Sequence, residues 1–311
     1  MRIGNRDFDT VNRCYIVGIL NVTPDSFSDG GKWGRPDLAL RRAEEMIGFG
    51  ADIIDVGGES TRPGYTGVSE QEEIDRTAPL IEMMRSRFDT PVSIDTHKNA
   101  VARAAIDAGA DMVNDIWGLK KDPEMAHVVA RAGVACCLMH NRENMDYSGF
   151  VPDMTGDLLE SAEIATNAGI AADKIILDPG IGFAKTHEMN LEAINRLDMI
   201  VKLGYPVMLG ASRKRVVGIT LDLPVAERVE GTLAATVVGV MRGCSFVRVH
   251  DVKETRRAVT MTEAIIYSNN TGTKPGEAGS WRRGGATERA PSDEETRLME
   301  FSAVRDDEWT R

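Results

Sequence analysis

Three strand-like runs end in a side chain that accepts hydrogen bonds: Asp95 in Ser93-Ile94-Asp95-Thr96, Asn114 in Val113-Asn114-Asp115-Ile116, and Asp178 in Leu177-Asp178-Pro179-Gly180. Brought together they form a ring of acceptors. A flat heterocycle with an amino group beside a ring N–H matches a carboxylate in geometry, and a charge-assisted hydrogen bond in a dry pocket contributes about 1.5–3 kcal/mol. Metal ligation by paired carboxylates and capping of the following helices, the latter for Asp115 and Asp122 in particular, are the other uses of such residues. Opposite in sign are Ser212-Arg213-Lys214-Arg215 and Arg248-Val249-His250. Strand alternation points Arg248 and His250 the same way. An Arg inside an apolar strand needs a partner, whereas Arg213 and Arg215 suit an anion site and a plain basic surface equally.

Two loops add further donors. Asn21-Val22-Thr23-Pro24-Asp25-Ser26-Phe27-Ser28-Asp29-Gly30-Gly31 combines turn formers with many side-chain oxygens, which suit a hard cation such as Mg²⁺ seated beside phosphates. Gly57-Gly58-Glu59-Ser60-Thr61-Arg62-Pro63-Gly64 carries one Arg able to grip a carboxylate in a bidentate pair. Either stretch also reads as an ordinary turn.

The elements that must position these groups are short Val/Ile-rich runs separated by stretches of helical composition, the pattern of repeated βα units. Eight such runs span Tyr15 to Leu20, Ile53 to Gly57, Pro91 to Asp95, Met112 to Asp115, Val134 to His140, Lys174 to Asp178, Pro206 to Gly210 and Phe246 to His250. Helices are predicted near 36–49, 69–88, 98–108, 122–132, 156–168, 187–203, 224–242 and 251–267, the first with Leu38, Ala39, Arg42, Met46 and Phe49 on its buried face. Apolar residues on nearly every strand position imply burial on both sides, as in a parallel sheet covered by helices. Eight units close a (β/α)8 TIM barrel; a doubly wound open sheet is the competitor. Each run finishes in a polar residue (Asn21, Asp55, Asp95, Asn114 with Asp115, His140, Asp178, Ser212, His250), which favours the barrel, where all strand ends share one mouth.

The 311 residues hold 37 Lys+Arg against 48 Asp+Glu, a formal charge of −11, with a pI near 5.1. That balance argues against binding nucleic acid through phosphate neutralisation. No run approaches the ~18 apolar residues that cross a bilayer, and the first residues lack the apolar core of a leader, so a cytoplasmic location is expected. Cys14, Cys136, Cys137 and Cys244 read as small buried hydrophobes in a reducing compartment. The barrel should fill residues 1–268. Residues 269–311, polar and Gly-rich, read as an unpacked tail with one short helix near 292–309, opened by the capping-box pattern Ser292-Asp293-Glu294-Glu295.

Taken in order, Asn21 to Gly31, Asp55 to Gly64, Ser93 to Thr96, Asn114 to Ile116, Asp178 to Phe183, Ser212 to Lys214 and Arg248 to Asp251 resemble the bacterial dihydropteroate synthases. The resemblance covers roughly residues 14 to 268 and implies a TIM barrel. It also implies condensation of 6-hydroxymethyl-7,8-dihydropterin diphosphate with 4-aminobenzoate, giving 7,8-dihydropteroate and diphosphate for folate synthesis. It implies that Asp95, Asn114, Asp178 and Lys214 hold the pterin, and that Asn21, with Mg²⁺, Arg248 and His250 hold the diphosphate. Thr61, Arg62, Pro63, Phe183 and Arg215, beside Lys214, would shape the 4-aminobenzoate site. Asp95, Lys214, Arg248 and His250 would carry catalysis. It further implies sulfonamide sensitivity and a homodimer. Two readings compete: a pterin-binding methyltransferase of the same superfamily, which does not need Thr61-Arg62-Pro63 or Ser212-Arg213-Lys214, and a silent scaffold acting through its tail.

Overall fold

Strand positions of one parity are apolar and meet helices, while those of the other parity start apolar and turn polar toward the strand end. A computed structural model describes residues 1–22, 35–59 and 67–268. The chain opens with an antiparallel hairpin, β1 (Arg2–Ile3) and β2 (Arg6–Asp7). Eight parallel strands follow: β3 (Tyr15–Asn21), β4 (Ile53–Gly57), β5 (Val92–Asp95), β6 (Met112–Asp115), β7 (Ala135–Met139), β8 (Ile175–Asp178), β9 (Met208–Leu209) and β10 (Phe246–Val249). They pair in the order β8-β7-β6-β5-β4-β3-β10-β9. The bridge between Leu177 and Val207, with the Leu177 N–H donating to the Pro206 carbonyl at 2.9 Å, joins the two outermost strands. That contact is what an open doubly wound sheet lacks, and the fold is a TIM barrel.

The helices are α1 (Arg35–Gly48), α2 (Glu70–Arg85), α3 (Asn99–Asp107), α4 (Pro123–Ala132), α5 (Phe150–Asn167), α6 (His187–Asn195), α7 (Leu197–Val201), α8 (Arg215–Leu221), α9 (Val229–Met241) and α10 (Val252–Ile266). Ser69, Asp122 and Thr186 cap α2, α4 and α6 by accepting a first-turn N–H. Several expectations need correction. The buried face of α1 is Ala39, Leu40, Ala43 and Met46, and Leu38 and Arg42 face solvent. α5 starts at Phe150 rather than 156, because Pro152 is tolerated in a first turn, where no intrahelical N–H bond is lost. The single helix expected over 187–203 breaks at Arg196, whose backbone (φ −101°, ψ 22°) ends α6 and opens α7. The hairpin and α8 are additions to the expected elements.

The core has two shells. Ile16, Ile54, Ile94, Val113, Leu138, Leu177, Leu209 and Val247 face outward to the helices. Val17, Ile53, Met112, Ala135, Cys137, Ile176, Met208 and Phe246 fill the barrel near the strand starts, with Ile3 and Phe8 of the hairpin region packed beneath them. Phe8, Tyr15 and Phe246 stack with centroids 4.8 to 5.8 Å apart. As expected for neighbours on one strand, Cys136 lies in the outer shell and Cys137 in the inner one. Among the described residues no helix is long and apolar enough to cross a membrane. The tail 269–311, including the helix expected near 292–309, lies outside the described residues, as do 23–34 and 60–66.

Candidate active site

Continuing each inward row by one step past the apolar floor brings up Asp55, Asp95, Asn114, Asp178 and Arg248, all two residues beyond an inward-facing neighbour on the same strand. The Arg248 guanidinium bridges two strands: Nε donates to Asp55 Oδ2 at 2.5 Å and Nη2 to Asp95 Oδ2 at 2.6 Å. Asn114 Nδ2 donates to the same Asp55 oxygen at 3.1 Å. The Arg248 side chain is 16% exposed, and those of Asp55 and Asp95 are 0% and 8% exposed, so this is a largely dehydrated ion-pair triad. Arg248 thus has the partners its setting demanded. Asp55 is the partner that sequence reasoning misses: it reads only as a strand end, although its parity with Ile53 points it inward.

Two buried oxygens of the triad, Asp55 Oδ1 and Asp95 Oδ1, accept no hydrogen bond from the protein. A buried acceptor left unmatched costs about 1–3 kcal/mol, so this triad carries a polar cost that the floor of the barrel does not. Asp178 faces the same space, its Oδ1 accepting from the Gly180 N–H at 2.7 Å. Lys214 enters from the loop after β9; its Nζ donates to the Ile181 carbonyl at 2.6 Å and lies 4.9 Å from the Phe183 ring centroid. Gly210 leaves a gap between these groups. A Cβ there would sit 3.5 Å from Asp178 Oδ2, 3.7 Å from Lys214 Nζ and 3.9 Å from Arg248 Cβ. Gly57 leaves a second gap, where a Cβ would be 3.3 Å from Asn21 Oδ1 and 3.7 Å from Asp95 Oδ2. Asn21, Asp95, Asp178, Lys214 and Arg248 therefore share one mouth.

The rim is basic. His250 Nδ1 pairs with Ser212 Oγ at 3.0 Å, and the His250 N–H donates to the same hydroxyl at 3.2 Å. Arg213, in a left-handed conformation (φ 55°), is turned aside to Asp251, with Nε 2.9 Å from Oδ2. Arg215 opens α8 and is exposed. From α9, Arg228 Nη1 donates to the Arg213 carbonyl at 3.0 Å, Arg228 marking the helix start, which fixes the backbone that carries Lys214. Not every polar strand end faces the mouth. Asp115 accepts from the Trp117 and Leu119 N–H groups, both at 2.8 Å, which makes it the brace of its own loop. His140 has the outward parity and pairs with Asp157 of α5 at 3.0 Å. Asp122 is the helix cap that was foreseen. Thr61, Arg62 and Pro63 lie outside the described residues.

The charges are tuned by burial. Loss of water pushes the Asp95 carboxyl up to about 7 against the pull of Arg248, with Asp55 and Glu73 adding to the rise. Asp178 is also raised by burial, opposed by Lys214. Burial brings the Lys214 ammonium down to about 8, with Asp178 holding it up. Burial disfavours charge on Arg248 too, but Asp55 and Asp95 outweigh it and keep the guanidinium ionised.

Residues 17–250 match the family described as pterin binding enzymes. A dihydropteroate synthase of Clostridium beijerinckii is 58% identical over 267 residues, covering 86% of this chain and 99% of that one. The chain belongs to the dihydropteroate synthase family. The Bacillus subtilis dihydropteroate synthase is 54% identical, over 81% of this chain and 88% of its own. Among solved structures, a Clostridium difficile dihydropteroate synthase crystallised with pteroic acid superposes with a TM-score of 0.82 at 47% identity, covering 83% of this chain and 99% of that one. A Yersinia pestis dihydropteroate synthase in a sulfonamide drug complex gives 0.80 at 41%, covering 86% and 98%. Family membership makes the chain a pterin-binding transferase.

Proposed function

We infer that the chain joins 6-hydroxymethyl-7,8-dihydropterin diphosphate to 4-aminobenzoate, forming 7,8-dihydropteroate and releasing diphosphate. The observation that carries this reading is the Asp55–Arg248–Asp95 triad at the mouth where Asp178 and Lys214 also gather, around Gly210. Asp95, Asn114 and Asp178 hold the amino and ring N–H edge of the pterin, and Lys214 reaches its carbonyl side. Arg248, His250 and Asn21 face the diphosphate. As the C–O bond to diphosphate breaks, positive charge builds on the pterin methylene. Asp95 stabilises that charge through the ring N–H, and Arg248 and His250 stabilise the departing anion. The neutral arylamine nitrogen then bonds to the methylene carbon and sheds one proton. Positioning and fixed charge suffice, and no enzyme nucleophile is needed.

Mg²⁺ is proposed on the donor set. Among the described residues no cluster of three His, Cys, Asp or Glu side chains could cage a metal, but Mg²⁺ binds through few protein oxygens plus substrate phosphates. The Asn21 amide oxygen beside the gap at Gly57 meets that need. When bound, the ion offsets charge on the diphosphate. Phe183 and Arg215, with Thr61, Arg62 and Pro63, are assigned to 4-aminobenzoate, which makes the enzyme a sulfonamide target. The exposed Val238 and Met241 of α9, and Met261, Ile265 and Ile266 of the neighbouring α10, support a homodimer through these helices. The four free, buried cysteines support a reducing cytoplasm. Diphosphate release by the full-length chain, measured with and without 4-aminobenzoate, tests the reading. Release that depends on 4-aminobenzoate and is suppressed by a sulfonamide is expected; no release with both substrates would overturn it.

A further inference from the structure

One buried cation beside the barrel mouth has no part in the chemistry above. Lys185 follows β8 by seven residues, and its ammonium has three acceptors: His140 Nδ1 at 2.7 Å, the Gly180 carbonyl at 3.1 Å and the Phe183 carbonyl at 3.0 Å. Those contacts use all three of its N–H bonds. They also fix the imidazole, because Nδ1 must offer a lone pair and the proton must sit on Nε2, which donates to Asp157 Oδ2 at 3.0 Å. Asp157 is anchored in turn by Arg142, through Nε at 2.6 Å and Nη2 at 3.1 Å. Burial and the Lys185 charge push His140 down to about 3, which favours the neutral imidazole that the hydrogen bonds require. Burial lowers Lys185 as well, to about 7, against the pull of Asp178.

The segment this cation holds is the one that shapes the pterin site. Residues 178–185 carry Asp178 at one end and Phe183 in the middle, and they wind through left-handed backbone at Gly180 (φ 69°), Gly182 (φ 88°) and Ala184 (φ 44°), the last disfavoured for a residue with a Cβ. Gly180 lies so close to β7 that a Cβ would fall 1.9 Å from the His140 carbonyl oxygen. The Tyr147 hydroxyl donates to the Ala184 carbonyl at 2.9 Å, and Lys214 takes the Ile181 carbonyl. A loop of this shape does not hold itself.

We propose that Lys185, oriented by a neutral His140 whose tautomer Asp157 sets, is a positioning residue that locks the loop after β8 so that Asp178 and Phe183 face the substrates. The proposal rests on the dihydropteroate synthase reading and deepens it, since neither side chain touches the reacting atoms. In full-length protein, His140→Leu and Lys185→Met should lower kcat/KM for the pterin diphosphate at least 30-fold, with cooperative melting retained. His140→Gln offers an amide oxygen to Lys185 and an N–H to Asp157, and should stay within threefold of wild type. In wild-type protein the ¹⁵N shifts of His140 should report the neutral Nε2–H tautomer and not titrate between pH 5 and 8, the groups facing the ring being Lys185, Asp157, Tyr147 and, through Asp157, Arg142. Folded His140→Leu and Lys185→Met enzymes within threefold of wild type, a Gln variant as impaired as Leu, or an Nδ1–H or charged imidazole would each overturn it. If wild-type protein releases no diphosphate, the functional reading fails instead, while the tautomer measurement still judges the lock.

Discussion

The two halves of the barrel interior are built from the same strands and do opposite things. Phe246 and Arg248 are two residues apart on β10 and point the same way, yet one packs against Phe8 and Tyr15 over the hairpin and the other bridges Asp55 and Asp95. Below, dispersion and water release do the holding, at about 1.5–3 kcal/mol for each large side chain buried. Above, three charges sit where water is scarce, an arrangement that contributes little net stability because desolvation offsets attraction. The floor gives the mouth its rigidity. The mouth concentrates the cost of burial on groups that a ligand can satisfy.

Breaking each half should therefore give separable losses. Arg248→Met strands Asp55 and Asp95 against each other, and a loss of about 3–5 kcal/mol in unfolding free energy is expected, together with undetectable diphosphate release. Phe246→Ala should lose a similar 3–5 kcal/mol to a cavity, while the folded fraction keeps kcat/KM within threefold. Denaturant melts paired with diphosphate release separate the two, and equal activity loss in both would erase the distinction. Next in size, Lys214→Ala should lower turnover at least a hundredfold, about 3 kcal/mol at the transition state, with little change in melting. A tenfold loss or less would reduce Lys214 to packing.

A pH experiment sharpens the same contrast. Asp95 rises from its ordinary 3.8 to about 7 on folding, so between those values the folded state keeps a proton that the unfolded chain has lost. Stability from this group is therefore present below pH 4 and declines as pH rises through 7. Asp95→Asn removes that slope. The melting temperature of the variant relative to wild type should climb by several degrees from pH 5 to pH 8, even as activity is lost; a flat or falling difference would refute it. The smallest effects belong to residues away from the mouth. Burial pushes the Cys136 and Cys137 thiols up, leaving them inert, so Cys136→Ala and Cys137→Ala should cost about 1 kcal/mol each and leave turnover within twofold.

The sequence made strand parity and strand ends visible, and these placed Asn21, Asp95, Asn114, Asp178 and Arg248 at a common mouth. Four kinds of feature escape it. Asp55 needed a partner 193 residues away, and only closure of β10 against β3 and β4 supplies it. Asp115 and His140 resemble mouth residues because a polar residue at a strand end looks alike from either face; parity with Val113 and Leu138 sends both outward. Lys185 was invisible because its role depends on three acceptors from two loops, which no spacing rule encodes. The short α8 shows no helical signal, since seven residues after a basic run carry too few turns to show a period.

The mouth divides its labour: carboxylates read the ring, and the basic rim reads the tail. Calorimetric titration of 6-hydroxymethylpterin and of its diphosphate into wild-type, Asp178→Asn and His250→Ala proteins tests this directly. Asp178→Asn should weaken both ligands alike, at least tenfold, and His250→Ala should weaken only the diphosphate. If His250→Ala weakens the bare pterin as much, or if Asp178→Asn leaves it untouched, ring and tail are not held as described.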